Sequence, residues 1–339
     1  MDGVPFAFCE HLSQLLSEAL SNAKELSGSY GELARHMFEH QVRYACAVED
    51  GSLTGDYVQY LGSGRRLETP KQIDAIRKKF VRDVWIFLMD AKTESVSREI
   101  IRRFPYADDY NFVLKSSSIN EAWVDLAYSL RRLGSVSIRK ELDDNALQLF
   151  QKLVTGQKLW FLFIHPDSCE GSTMEIPKSL LCQEQFKELV ITEPRPVRPW
   201  KTTPVQELME LWSENSEKLR GKHLIVNDYC GHGIKQLEEF LVQRVQSASI
   251  IERVLEACSK EECDFIDKYH RNNYYTFPMP SCVYKFEEGE EGMRRRLYIS
   301  FDCASDEVVS MHQQRPANHK GSNKIHLIRA TKMFHILFD

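Results

Sequence analysis

The stretch Gln157-Lys158-Leu159-Trp160-Phe161-Leu162-Phe163-Ile164 decides the fold of this chain, because the pattern of residues changes there. It is a run of apolar and aromatic residues closed by His165-Pro166-Asp167, as is typical of a buried strand. Apolar residues before it recur at helical spacing, whereas strand-like and helix-like stretches alternate after it. The sequence therefore predicts an α+β protein, with a helical N-terminal part followed by an α/β half in which a small sheet is backed by helices.

The C-terminal half is predicted to alternate strands and helices at intervals of roughly 25–35 residues, too irregular for a strict repeat. Apolar alternation and β-branched or aromatic residues predict strands at 186–192, 222–228, 282–286, 296–303 and 324–330. Apolar residues at helical spacing predict helices at 204–219, 234–245 and 251–269.

The N-terminal half is predicted to be mainly helical, with helices within 4–50 and at 70–103, 120–133 and 144–154. Residues 50–70 are rich in Gly, Ser and Thr and indicate a loop or linker. The apolar run Val84–Met89 fits either a buried strand or a core helix. We therefore expect three regions: a helical segment at 1–50, a mainly helical region at 51–155 and an α/β domain at 156–339.

Composition describes a folded protein with no general affinity for polyanions. The chain has 339 residues, of which 42% are hydrophobic and 27% charged, and its formal net charge is −5. We predict no nucleic-acid partner. The basic clusters are short and predict solvated faces, unless they meet on one surface and make the field there positive. They are Arg77-Lys78-Lys79, Arg102-Arg103, Arg131-Arg132 and Arg294-Arg295-Arg296.

Targeting signals and cysteine usage indicate a cytoplasmic or nuclear protein. Glu10 and His11 interrupt the apolar N-terminus, which argues against a signal peptide. The longest apolar runs are too short to cross a bilayer, so no membrane partner is expected. Nine cysteines without paired CxxC motifs indicate reduced thiols and no zinc site.

The turn Asp228-Tyr229-Cys230-Gly231-His232-Gly233 is the one stretch with a pattern that could bind a cofactor. Two glycines between a strand and a helix can present N–H groups to a phosphate, but the third glycine of the dinucleotide motif is missing. A tight turn with positive φ is the favoured interpretation. Cys230 and His232 are too close in sequence to form a typical nucleophile and base. We predict no catalytic, cofactor-binding or metal-binding residues.

The opening segment Val4–Leu16 carries the strongest functional signal. Pro5 suits the first turn of a helix, and the apolar residues after it recur on one helical face. Such a stripe needs a partner surface, either in this chain or in another. The predicted partner-binding residues are Pro5, Phe8, Leu12, Leu15 and Leu16.

This segment resembles the start of an F-box, a short helical motif that docks on the adaptor subunit of a cullin-based ubiquitin ligase. Pro5, Phe8, Leu12 and Leu15 stand at the proline and successive apolar positions of that motif. The usual Cys-Trp ending is absent, and Ser29–Ala34 stands where a Leu-rich segment belongs. With its opening phrase Val4–Cys9, the whole chain resembles nematode-expanded families of divergent F-box-like proteins whose C-terminal half is similar to F-box-associated domains.

The resemblance implies a non-enzymatic adaptor, in which the N-terminal helix binds the ligase subunit and the α/β half recognises a target protein. One alternative is a family-specific protein-binding module with no ligase role, whose N-terminal helices pack on its own body. Another is a nucleotide-using enzyme acting through the turn at 228–233. That alternative requires a cavity beside Gly231 and Gly233 and N–H groups that are not bonded within the turn.

Overall fold

The computed structural model describes residue 8 and residues 23–90, 92–193, 199–245, 250–289, 294–303 and 314–339. The chain divides into two compact units, Met1–Ser135 and Val136–Asp339. The described helices of the first unit are α1 (Gly28–His40), α2 (Pro70–Asp74), α3 (Ser95–Arg103) and α4 (Glu121–Ser129). Its strands are β1 (Val42–Glu49), β2 (Ser52–Tyr60), β3 (Arg66–Leu67), β4 (Val81–Leu88) and β5 (Asp109–Leu114), and β6 (Leu133–Ile138) contains the division.

The strands of the first unit follow the order β3-β2-β1-β4-β5, with both parallel and antiparallel pairing. β1 is antiparallel to β2 and parallel to β4, and β4 is parallel to β5. Asp50 and Gly51 join β1 to β2 and have φ values of 51° and 68°. Positive φ at both central residues is the backbone requirement of a two-residue type I′ hairpin turn, which Asp-Gly meets at low cost.

The expected fold class, a helical N-terminal part followed by a small sheet, is wrong. Residues 42–49 form β1 instead of a helix, and the expected linker at 50–70 contains β2 and β3. Residues 81–88 form β4, which has one buried face and one partly buried face, and the partly buried face includes the apolar side chains of Trp85 and Phe87. The described chain is α/β, with strands and helices interspersed in both units and mixed strand pairing in each.

The second unit holds five helices and nine further strands among its described residues. The helices are α5 (Asp144–Thr155), α6 (Glu175–Leu181), α7 (Pro204–Leu219), α8 (Gly231–Arg244) and α9 (Lys260–His270). The strands are β7 (Phe161–Ile164), β8 (Glu188–Glu193), β9 (His223–Asp228), β10 (Glu256–Ala257), β11 (Thr276–Phe277), β12 (Tyr284–Glu288), β13 (Arg295–Phe301), β14 (Arg315–Pro316) and β15 (Met333–Phe338). Their order is β10-β12-β13-β15-β9-β8-β7, and β11 pairs separately with β14.

Most of the elements expected in this half are confirmed, and one strand is wrong. The helix expected at 251–269 begins only at Lys260, since residues 256–257 form β10. The predicted helix at 204–219 and the predicted strands at 186–192 and 222–228 correspond to α7, β8 and β9. Residues 325–330, expected in a strand, instead form a 3-10 helix whose only buried side chain is Ile328. A strand in this sheet would bury several alternate side chains, and this segment buries only Ile328.

The three parallel strands β7, β8 and β9 lie side by side in chain order. Right-handed crossovers between consecutive parallel strands place the connecting helices on one face, and α5 to α8 pack against one another in sequence. The carboxyl ends of the three strands therefore share one edge. In α/β proteins that edge is where ligands bind.

Candidate functional site

A cleft opens at the carboxyl ends of β8 and β9, beside the first turn of α8. Its volume is about 360 Å³, and its walls are Glu193, Trp200 and residues 228–232 on one side and residues 329–332 on the other. Sequence analysis singled out the turn at 228–233 but not the rest of this wall. A cavity therefore lies beside Gly231, as the nucleotide hypothesis required, but Gly233 is not among its lining residues.

The turn into α8 depends on Asp228, the last residue of β9. Asp228 has a φ of 71°, a left-handed conformation that asparagine and aspartate adopt more readily than other side chains. Its Oδ2 accepts a hydrogen bond from Thr192 Oγ1 at 2.9 Å. The expected positive φ is thus present in this turn, but at Asp228 rather than at either glycine.

The two glycines have different roles. Gly233 lies inside α8, where an added Cβ would come within 3.1 Å of Trp200 and 3.3 Å of Val205, so the close packing of α8 requires glycine. An added Cβ at Gly231 would meet nothing within 4 Å. The first turn of α8 has no side-chain cap and no acidic residue. Open space beside Gly231 therefore coincides with a helix N-terminus that has no side-chain cap.

Four charged residues reach the cleft region from four successive strands. Arg139 follows β6, His165 follows β7, Glu193 ends β8 and Asp228 ends β9. His165 Nε2 lies 3.3 Å from an oxygen of Glu193, whose side chain is only 10% exposed. Burial lowers the pKa of the Arg139 guanidinium, and the charges of Asp228 and Glu193 oppose that shift. A guanidinium and an imidazole from neighbouring strands therefore lie near the two carboxylates.

Sequence analysis missed this cluster because its members are far apart in the chain. The available signal was positional: a charged residue stands at or just after the end of each of four consecutive strands. Parallel strands bring such positions to one edge only if they are adjacent in the sheet. The order of the strands, which the sequence did not specify, was the missing information.

Cys230 and His232 do not form a nucleophile and base. The Cys230 side chain is buried, and its Sγ–H donates to the carbonyl of Val226 at 3.2 Å. Burial raises the pKa of this thiol to about 12. His232 is exposed, and its ring centre lies 6.1 Å from that of Trp200. A thiol with so high a pKa stays protonated at neutral pH and is a poor nucleophile.

Among the predicted partner-binding residues, only Phe8 belongs to the described part of the chain. Phe8 has helical backbone geometry and is 57% exposed. Pro5, Leu12, Leu15 and Leu16 lie outside the described residues. Aromatic side chains of the second unit are divided between surface and core: Trp160 and Tyr274 are exposed, whereas Phe277 is fully buried.

The remaining expected features concern thiols, metals and membranes. The eight described cysteines are all free thiols. Within the described ranges, no group of three or more His, Cys, Asp or Glu side chains could hold a metal ion. Nor does any described helix have the length and apolar composition needed to span a bilayer.

No protein-family model, curated protein or solved structure matches this chain. The resemblance to F-box-like proteins therefore rests on the sequence patterns of the opening segment and the C-terminal half.

Proposed function

We propose that this chain is a non-enzymatic adaptor whose N-terminal segment docks on the adaptor subunit of a cullin-based ubiquitin ligase. The observation that carries the proposal is the 57% exposure of Phe8. Burying a phenylalanine side chain is worth about 1.5–3 kcal/mol, so a helical phenylalanine left in water favours a partner that covers it. A Phe8 side chain covered by residues of this chain would instead have favoured the alternative without a ligase role.

The cleft of the second unit suits recognition of a target protein better than catalysis. Glu193 and Asp228 already contact His165 and Thr192, and burial raises the pKa of Cys230, the one thiol among the described wall residues. What the cleft offers a partner is the exposed Tyr229 ring, the space beside Gly231 and the N-terminus of α8, which has no side-chain cap. These features can bind a side chain or a short segment without transferring a group.

Co-purification from cells tests the docking step. We expect Phe8→Asp to abolish recovery of the ligase adaptor and cullin, because a carboxylate in a buried contact costs several kcal/mol. Tyr269→Asp is the matched control, since Tyr269 is 59% exposed and lies on α9 of the second unit. Equal recovery with both variants, or no recovery with the native chain, would refute the proposal.

The same segment separates this proposal from a protein-binding module that has no ligase role. The pair Leu12→Asp and Leu15→Asp introduces two carboxylates on the predicted stripe. If the stripe docks on a partner, binding is lost and the melting temperature is unchanged. If the stripe packs on the chain itself, the melting temperature falls sharply.

A nucleotide-using enzyme is the second candidate, and the cleft beside Gly231 is the observation that favours it. A bound mononucleotide at one hundred times its Kd would stabilise the protein by about 2.7 kcal/mol. Thermal unfolding with ATP, GTP and NAD, compared in native protein and Gly231→Asp, measures this. No shift in the native protein, or an equal shift in both, would exclude nucleotide binding at this turn.

A further inference from the structure

Basic residues gather at the amino ends of the strands of the first unit. The segments 74–82, 102–109 and 131–132 precede or begin β4, β5 and β6, and together they hold eight cations and three carboxylates. We call this surface the basic edge. Its cations are Arg77, Lys78, Lys79, Arg82, Arg102, Arg103, Arg131 and Arg132, and its carboxylates are Asp74, Asp108 and Asp109.

Hydrogen bonds between the segments show that they lie side by side. The backbone N–H of Asp108 donates to the carbonyl of Arg82 at 2.7 Å, and that of Tyr110 donates to the carbonyl of Arg132 at 3.0 Å. Arg132 Nη1 also donates to the carbonyl of Ala107 at 2.7 Å. Because neighbouring strands are about 4.8 Å apart, the three segments fall within about 10 Å along the edge.

The carboxylates of the basic edge compensate only some of its cations. Arg82 pairs with Asp108, and Arg103 Nη2 pairs with Asp74 Oδ1 at 2.7 Å. The side chains of four of the cations are exposed and form no hydrogen bond or ion pair with any described residue. These four are Arg77, Lys78, Arg102 and Arg131.

Helix dipoles account for part of this pattern. Arg102 lies in the last turn of α3, where a cation is favoured by the helix C-terminus. Arg77 and Lys78 stand before β4, beside a short 3-10 turn, and have no long helix to complement. The uncompensated charge at 77–78 is therefore left for a partner outside the described chain.

An exposed aromatic residue accompanies these charges. Tyr106, in the loop between α3 and β5, is 54% exposed. Its carbonyl accepts a hydrogen bond from Arg82 Nη1 at 3.3 Å, which holds the loop against the edge. A partner that carries acidic and apolar side chains together would complement both parts of this surface.

We propose that the basic edge binds an extended acidic segment of a polypeptide that also carries an apolar side chain. In an extended chain, alternate side chains lie on the same face and are about 6.8 Å apart. Two or three carboxylates on that face can therefore span the roughly 10 Å occupied by the three basic segments. A nucleic acid fits less well, because it needs a longer track of phosphate contacts and the whole chain is negative, at −5. The proposal is independent of the ligase docking proposed for the N-terminal segment.

Fluorescence polarisation with a labelled dodecapeptide of alternating Glu and Ala with one central Phe provides the test. The full chain should bind it and should not bind the same peptide with Gln in place of Glu. Arg77→Glu with Arg131→Glu should weaken binding roughly tenfold or more, since four units of charge change at an exposed surface. Lys260→Glu with Lys268→Glu, on exposed positions of α9, is the charge-matched control and should bind nearly as the native chain does.

Salt and oligonucleotides sharpen the test. Binding should weaken steeply as salt brings the Debye length below about 10 Å. Equal loss with both double variants, or equal affinity for the Gln peptide, would overturn the proposal. The proposal would also be overturned if a single-stranded oligonucleotide bound more tightly than the Glu peptide and the Arg77→Glu, Arg131→Glu variant abolished that binding. If the Arg77→Glu, Arg131→Glu variant has a lowered melting temperature, the variant Arg77→Gln, Arg131→Gln replaces it. An unchanged affinity of this neutral variant for the Glu peptide would also overturn the proposal.

Discussion

Acidification from about pH 7.5 to about pH 5 is expected to destabilise the second unit by roughly 2 kcal/mol through His223 alone, with a further loss through His335, its partner in a buried pair. These side chains face each other across β9 and β15, with His223 Nδ1 at 2.8 Å from His335 Nε2. The Tyr275 ring stacks on His335, with ring centres 4.1 Å apart. Both imidazoles are therefore enclosed by protein, and protonation of either one would place a positive charge where water cannot solvate it.

The magnitude follows from the pKa of His223. Burial, with smaller contributions from His270 and Lys187, lowers this pKa from 6.5 to about 3. Burial also lowers the pKa of His335. Below pH 6.5 the unfolded chain binds protons that the folded chain does not, so stability is present above 6.5 and is lost as the pH falls toward 3. Each pH unit in that window costs about 1.4 kcal/mol per histidine.

Glu188 acts in the opposite direction. Burial raises the pKa of this carboxyl, and Tyr275 Oη donates a hydrogen bond to it at 2.7 Å. Glu188 therefore takes up its proton at a higher pH in the folded chain than in the unfolded chain, although the hydrogen bond from Tyr275 opposes this shift, and acidification favours folding at this residue. Glu188→Gln removes that compensation, so the loss of stability on acidification should become larger in this variant.

Urea unfolding at both pH values, followed by tryptophan fluorescence, measures the effect. His223→Gln should lower stability at neutral pH, because it disturbs a buried hydrogen bond, but should reduce the difference between the two pH values by about 2 kcal/mol. His326→Gln, at an exposed histidine of the same unit, is the control and should leave that difference unchanged. The same pH dependence in His223→Gln and in the native protein would refute the reasoning, provided that the m-values agree.

Three further predictions concern the cleft and its supports. Asp228→Ala should lower the free energy of unfolding by about 1–2 kcal/mol, because alanine tolerates the left-handed backbone poorly and loses the hydrogen bond from Thr192. Asp228→Asn should change that free energy by less than about 0.5 kcal/mol, and urea unfolding measures both. Gln236→Leu should lower the free energy of unfolding by about 2–3 kcal/mol, because the Gln236 side chain accepts hydrogen bonds from two backbone N–H groups at the start of α7. Gln236→Glu keeps the acceptor oxygen and should lower it less. Iodoacetamide at about pH 8 should alkylate the partly exposed Cys182 of the native protein well before the buried Cys230, and peptide mass spectrometry measures both reactions. Equal rates of alkylation would contradict the raised pKa of Cys230.

The sequence predicted much of the second unit because its signals there are local. Strands β8 and β9 are apolar runs bounded by turns, and α7 begins with Pro204 and continues at helical spacing. In the first unit the apolar residues of β4 fit a helix as well as a strand, because Trp85 and Phe87 on its partly buried face make a continuous apolar run with the buried Val84, Ile86 and Leu88. Only neighbouring strands could decide between the two.

One local signal for the first unit was present and was not used. Asp50-Gly51 between two runs containing β-branched and aromatic residues is a strong indication of a hairpin, and both residues take positive φ. The charges of the cleft and of the basic edge were not predictable in this way. They come together only through the parallel order of strands, which depends on contacts distant in sequence.

The short outer strands of the described order bear on how the protein avoids aggregation. β3 flanks β2 in the first unit and β10 flanks β12 in the second, and each is only two residues long. An outer strand exposes unpaired backbone groups that can template pairing with another chain, and such pairing grows with the length of the exposed row. Arg66 in β3 and Glu256 in β10 add a charge to each short row, so neither border offers a long, neutral ladder to a second molecule.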